Sequence, residues 1–335
     1  MKTYEYRQFG LENLELVEHD QPRASGHLVV VKFRAASLNY RDLLFAQSVY
    51  NPHAKLPAVP LSDGAGDVVE VGEQVTRWKV GDRVCPIFMQ GWIEGECNAA
   101  KMKTSLGGGD LPGVLREYGA FDENGLVAIP DYLSYEEAAT LPCAAVTAWH
   151  ALVPSGKLKA GDTVLTLGTG GVSVFAVQLA KMHGARVIAT SSSDEKLARI
   201  RELGADETIN YKTTPDWDQE VLRLTDKTGV DHVVEVGGAG TLSKSVSATR
   251  IGGDVAVIGV LAAGGDFNPM SVLMKSLRLQ GIFVGSRQMF EEMNRALTVA
   301  QLKPVIDKTF PFDQARQALE YMQSGSHFGK IVIAF

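Results

Sequence analysis

The chain has 335 residues, enough for two hydrophobic cores, and 45% of them are hydrophobic. A formal net charge of −6 offers no basic footprint for nucleic acid, and no apolar run reaches membrane-spanning length. Cys85, Cys97 and Cys143 form no C-x-x-C pair or disulfide framework, and Met1–Gly10 has no signal-peptide pattern, so a reducing cytoplasm is the expected setting.

Up to about Asn124 the chain is rich in glycine and β-type runs. His27–Ala36 (HLVVVKFRAA) reads as a strand, and Gly64–Val71 and Arg83–Ile87 as two more, punctuated by Gly72 and Gly81. A short helix is expected over Tyr40–Gln47. Gln90–Gly113 has many glycines and few large apolar residues, the pattern of an excursion or lid. Leu126–Ile129 reads as a connecting strand. Ser134 and Glu137 have capping-box spacing for the next helix, which Pro142 interrupts and Cys143–Leu152 continues.

From Thr163 strands and helices alternate. Strands are expected at Val164–Gly168, Val187–Ser191, Glu207–Tyr211, His232–Gly237, Asp254–Val260 and Leu277–Gly285, which predicts a doubly wound parallel sheet of six strands. Asp313–Ser324 reads as an amphipathic helix with Asp313 as N-cap and Gly325 at its end. Lys330–Phe335 is the last strand.

The stretch Asp162–Arg199 carries the clearest chemistry. Thr163–Leu167 is a short apolar strand, and Gly168-Thr169-Gly170-Gly171-Val172-Ser173 turns the chain. Val172, Phe175, Leu179 and Met182 then recur at helical spacing, and Arg186–Thr190 is a second strand. Strand, glycine turn, helix and strand make the dinucleotide-binding unit. Its pyrophosphate needs a turn without bulky side chains and rests on the free N–H groups at the helix start. Ser173 stands where the third glycine of G-x-G-x-x-G is expected.

An acid usually ends the second strand and holds the ribose 2′-hydroxyl, some 20 residues after the glycines. Ser191-Ser192-Ser193 stands there, followed by Lys196. Hydroxyls and an ammonium can donate to a 2′-phosphate that a carboxylate would repel, so NADP(H) is favoured over NAD(H). The alternative is a serine-rich N-cap, with Ser193 or Asp194 opening a helix over Glu195–Leu203, and both roles can hold together.

With these elements in view, the whole chain resembles the medium-chain dehydrogenase/reductase superfamily. The matching stretches are ASLNYRDLLFAQ, LPAVPLSDGAGDVVEVG, VGDRV, AATLPCAAVTAW, GTGGVS, IGV, GIFVG and HFGKIVI. The resemblance implies an α/β protein with a GroES-like β-rich catalytic domain over 1–124 and 268–335. A Rossmann domain with a doubly wound parallel six-stranded sheet would occupy 125–267. A homodimer through the edge of that sheet is implied too, with Gly281–Val284 as its strand.

Zinc-dependent members of the family hold their catalytic metal with Cys, His and Cys. Those positions are Asn39, Ser62 and Cys143 here, and one thiol does not make a zinc site. The chain therefore resembles the zinc-independent, quinone-oxidoreductase-like branch, with Asn39 and Asp42 matching its Asn-x-x-Asp element. Tyr50, eleven residues after Asn39, matches a substrate-pocket tyrosine able to donate to an oxygen that gains charge; a pocket-wall or core tyrosine is the alternative.

Asn39 is a candidate for the substrate or the nicotinamide ribose, or a turn residue. Asp63 is a candidate to orient neighbours or bind a cation, or a buried structural carboxylate. By resemblance, Thr147, Gly259, Val260, Phe283 and Val284 surround the nicotinamide, and Lys330 lies near the pyrophosphate. Tyr211 is either a neighbour of the 2′-phosphate or a core tyrosine.

None of the seven histidines has a ligand spacing, and no G-x-S-x-G elbow is present. The reading is hydride transfer from NADPH to a quinone or an α,β-unsaturated carbonyl, without zinc. The alternatives are zinc-independent alcohol or carbonyl oxidoreduction, and a non-catalytic protein that binds NADPH as a sensor or structural ligand.

Overall fold

A run of β-branched and other apolar residues at Leu28–Ser37 (LVVVKFRAAS) builds the strand from which the first sheet grows. Asp63–Val71 pairs antiparallel with one edge of it. Along the other edge, Tyr118–Asp122 takes Leu28–Lys32 and Lys330–Ala334 takes Ala35–Ser37. The sheet continues through Arg83–Pro86 to Leu126–Ala128 on one side and through Ile306–Pro311 on the other. Tyr6, Phe33, Phe45, Leu61, Val84 and Ile333 fill its core.

This computed structural model describes residues 1–259 and 267–335. The chain forms two compact units, Met1–Val146 with Gly285–Phe335, and Thr147–Val284. These compact units divide the chain at 146/147 and 284/285. Residues beyond 124 stay with the first unit because Tyr135–Ala139 packs on the strands Leu28–Ser37 and Asp63–Val71. Residues beyond 267 stay with the second because Arg278–Gly281 pairs parallel with Thr249–Val257.

The second unit is a six-stranded parallel sheet. Its spatial order is Glu207–Asn210, Arg186–Ser191, Thr163–Leu167, Val230–Glu235, Thr249–Val257 and Arg278–Gly281. The order reverses around Thr163–Leu167, the first strand of the unit, as in a doubly wound sheet. Glu235 is fully buried where its strand ends. Gly237 N, Gly238 N, and the Thr241 and Ser245 hydroxyls all donate to its carboxylate and fix the following helix.

The helix from Tyr135 is continuous with wide, π-type turns at Leu141–Ala145 and Ala151–Ser155, where Pro142 and Pro154 remove N–H donors. The Ser134–Glu137 capping box is formed. Asp313 does not cap the late helix. It lies in a 3₁₀ turn, Phe312–Gln314, and the helix runs Ala315–Gln323. A hairpin of Lys2–Tyr6 with Leu14–Glu18 and a helix over Arg287–Ala300 are further elements.

Candidate functional site

In the second unit the glycine turn is open on its outer side. Gly168 takes φ +72, a conformation suited to glycine, and Cβ atoms built on Gly168 or Gly170 would meet nothing within 4 Å. The helix Gly171–Met182 begins without a side-chain cap, so its first N–H groups are left for a ligand. Thr169 is buried and Val172 half-buried. Ser173 is buried too, and its hydroxyl donates to Leu167 O at 2.6 Å. A serine fits the third glycine position because the preceding strand absorbs its polar atom. The cradle fits a pyrophosphate.

At the end of the second strand Ser191 is buried, and its Oγ accepts from Ser193 N at 3.4 Å. Ser193 Oγ accepts from Lys196 N at 3.3 Å and caps the helix Asp194–Glu202. Both oxygens accept in these bonds, so both hydroxyl protons can still be donated. Ser192 and Lys196 are half-buried. The nearby acid Asp194 accepts from Asn210 Nδ2 at 2.7 Å. Tyr211 donates its N–H to Ser191 O at 3.0 Å, and its side chain is 41% exposed, so it is no core residue.

Thr147 is buried. Gly259 is required by a close approach, since a Cβ there would lie 1.6 Å from Val236 O. Phe283 is partly exposed. Val284 is buried at φ +58, a rare and strained conformation for a β-branched residue, and its carbonyl lies 2.6 Å from His150 Nδ1. Val260 lies outside the described residues.

In the first unit the sheet gathers Asn39, Ser62, Asp63, Cys143 and Lys330. Asp63 is wholly buried. The Ser62 hydroxyl donates to its Oδ1 at 2.7 Å, and Cys143 N donates to its Oδ2 at 3.1 Å. Lys330, expected near a pyrophosphate, is also buried, and its ammonium donates to Asn39 Oδ1 at 2.7 Å and Leu38 O at 2.5 Å. Burial raises the Asp63 pKa; the Lys330 ammonium, Ser62 and Asn39 work against that rise. Burial likewise pushes the Cys143 thiol up, and Asp63 adds to it.

Asn39 opens the helix Tyr40–Ala46, and its N–H donates to Asp42 Oδ2 at 2.8 Å. Arg41, not singled out from the sequence, lies between them in the chain. Its guanidinium carbon sits 5.0 Å from the Tyr50 ring centre and 4.7 Å from that of Phe88. Tyr50 is half-buried, and burial raises its pKa while Arg41 opposes the rise. The hydroxyl is therefore a proton donor at neutral pH. No sequence signal marked Arg41, since a cation beside Asp42 on a short helix reads as a solvated charge.

Comparisons with known proteins match the same two parts of the chain. Residues 25–131 match an alcohol dehydrogenase GroES-like domain, and residues 171–298 a zinc-binding dehydrogenase domain. A zinc-type alcohol dehydrogenase-like protein of Schizosaccharomyces pombe is 42% identical, over 97% of this chain and 96% of the relative. The chain belongs to the medium-chain dehydrogenase/reductase superfamily. It is an oxidoreductase of that superfamily, whose members include a crystal structure described as an NAD-dependent alcohol dehydrogenase. That structure is 34% identical with a TM-score of 0.91, covering 100% of both chains. A quinone oxidoreductase from Pseudomonas syringae pv. tomato DC3000 is 28% identical with a TM-score of 0.84, covering 100% of this chain and 99% of its own.

The superfamily's catalytic zinc is a poor match for the residues present. A zinc site takes about three protein ligands, with thiols as thiolates. Here the one thiol is pushed toward its neutral form, no imidazole joins it among the described residues, and an ammonium already stands among the donors. Among the described residues no group of three His, Cys, Asp or Glu could hold a metal ion.

Proposed function

We propose that the protein is an NADPH-dependent reductase of quinones or α,β-unsaturated carbonyls that works without zinc. The carrying observation is Lys330, whose ammonium donates to Asn39, the residue at a position where zinc-dependent relatives place a ligand, and acts electrostatically on the buried Asp63. A fixed cation there leaves a conjugated acceptor as the natural substrate, because its charge spreads to an oxygen and needs less polarisation.

When bound, the cofactor supplies the hydride. Gly170, Gly171 and the first N–H groups of the following helix would hold its pyrophosphate, with Thr169 and Val172 beside them. Ser191, Ser192, Ser193, Lys196 and Tyr211 would receive the 2′-phosphate. Thr147, Gly259, Val260, Phe283 and Val284 would position the nicotinamide. Asn39 would orient the substrate or the ribose, and Tyr50 would give a proton to the substrate oxygen. Asp63 and Lys330 hold Asn39 in place. A cytoplasmic setting and a homodimer complete this reading.

A second reading is zinc-independent alcohol or carbonyl dehydrogenation, favoured by the descriptions of the S. pombe relative and of the NAD-dependent structure. A panel of quinones, enones and secondary alcohols, assayed with NADPH and NADH alongside elemental analysis, tests both. The reductase reading expects NADPH consumption with quinones or enones, no stoichiometric zinc and activity that survives chelators. Preferred alcohol oxidation, or one zinc per chain lost together with activity, overturns it. NADPH binding with no turnover on any acceptor would indicate a sensor or structural protein.

A further inference from the structure

Arg41 is fixed on every side but one. Nη2 donates to Leu106 O at 2.5 Å, and Nε to Asp42 Oδ1 at 3.4 Å. The rings of Tyr50 and Phe88 lie over the guanidinium. The side chain is 9% exposed, yet Nη1 is a buried donor with no partner. A charged donor left unpaired in a dry site is costly, and a ligand oxygen would remove that cost.

Room beside Nη1 exists because residue 108 is glycine. A Cβ there would lie 3.4 Å from Tyr50 Cε1, 3.5 Å from Ser105 Oγ and 3.8 Å from Arg41 Nη1. Asn51 Nδ2 donates to Gly108 O at 3.0 Å and pins that backbone. Tyr50 borders the same space, with a hydroxyl that keeps its proton at neutral pH.

We propose that Arg41 Nη1 and the Tyr50 hydroxyl form an oxyanion-holding site for the substrate oxygen, with Arg41 as a further catalytic residue. The proposal rests on the reductase reading. Hydride supplied by the bound reduced cofactor, whose own C–H bond would break, adds to the β-carbon of the acceptor and forms a new C–H bond. The C=C electron pair shifts to the α-carbon side and the carbonyl pair moves onto oxygen. The resulting enolate oxygen is held by Arg41 and takes a proton from water or from Tyr50, which regains its own from solvent. The enol then returns to the saturated ketone, and the cofactor leaves oxidised. A permanent guanidinium aimed at the oxygen that gains charge stabilises the transition state more than the ground state.

The test uses an oxyanion probe as well as turnover. Para-nitrophenol titrated against the NADP(H)-loaded protein should bind as phenolate at least about tenfold tighter than as phenol, seen as a fall of at least about one unit in its titration midpoint. Arg41→Met and Arg41→Gln, shown to be folded by thermal melts, should lose that preference. They should lower kcat for an enone by about a hundredfold or more while leaving the KM for NADPH unchanged. Arg41→Lys should recover part of the loss. Gly108→Val, which keeps both donors, should weaken phenolate binding by crowding Nη1.

Folded Arg41 variants with unchanged phenolate preference, or with unchanged kcat on the enone, overturn the proposal. If those variants do not fold, unchanged phenolate binding in Gly108→Val overturns it. Wild-type reduction of acceptors without any phenolate preference sinks the oxyanion site and leaves the reductase reading standing. An Arg41-dependent phenolate preference with no acceptor reduced does the reverse.

Discussion

Lys330 Nζ stands 2.7 Å from Asn39 Oδ1 and ties the last strand of the chain to the residue that opens its first helix. The bond joins positions 291 residues apart, and the ammonium is also the cation that eases the buried Asp63. Removing it leaves a carboxylate without a counter-charge in the core of the first unit. Lys330→Met is expected to cost about 3–5 kcal/mol of stability. Adding Asp63→Asn to Lys330→Met should restore most of that, because the uncompensated charge goes with it. Urea unfolding of the two single variants and the double variant measures the coupling; strictly additive losses would deny it.

Asp42 gives the stability a pH dependence of defined sign. Burial, with a smaller push from Asp63, raises its carboxyl from 3.8 to about 6 against the pull of Arg41, the Asn39 N–H and Lys330. The native state therefore keeps the proton across a window in which the unfolded chain has released it. Stability falls as pH rises from about 4 to about 6, by about 3 kcal/mol for this group. Asp42→Asn should flatten that part of the pH–stability profile, leaving the slope that Asp63 contributes in the same direction. A profile that rises over the window in the wild type would contradict the assignment.

The proposed preference for NADPH rests on the serines after the second parallel strand. NADPH should bind at least about tenfold tighter than NADH, since one charge-assisted bond is worth about that much. Lys196→Ala should weaken NADPH selectively, and Ser191→Asp should reverse the preference by repelling the 2′-phosphate. Ser193→Ala separates the two roles of the segment. Loss of the cap to Lys196 N should cost about 1 kcal/mol of stability whichever cofactor is bound. Isothermal titration with both cofactors checks the set, and equal losses for both in Lys196→Ala would reduce the serines to a helix cap.

The proposed homodimer would have its physical basis in the second unit. Arg278–Gly281 is the outer strand of the parallel sheet, with one edge free of sheet partners among the described residues. Ile251, Leu273 and Met274 beside it are 71%, 69% and 73% exposed. Pairing of this edge with a second copy would cover them. Leu273→Asp with Met274→Asp should convert the dimer to monomer in sedimentation velocity while leaving the far-UV spectrum unchanged. A wild type that sediments as a monomer at all concentrations would remove the dimer from the reading.

Local chemistry wrote much of this protein into its sequence. The alternation of β-branched strands with amphipathic helices, the positive-φ Gly168, the Ser134 capping box and the serines in place of a ribose-binding acid are each encoded within a few residues. Pattern reading finds them for that reason. The helix over Arg287–Ala300 was open to the same reading, because its buried Phe290, Met293 and Leu297 fall at helical spacing. Other features depend on contacts between residues far apart in the chain, for which no local signal exists. The placement of Lys330 beside Asn39 and Asp63 needs the last strand to pair with Leu28–Ser37. The extents of the two compact units depend on such contacts as well, because sheet pairing and helix packing, rather than composition, decide which segment joins which core. Arg41 reads in the sequence as a solvated charge on a short helix, and only folding desolvates it between Tyr50 and Phe88 with Nη1 unsatisfied.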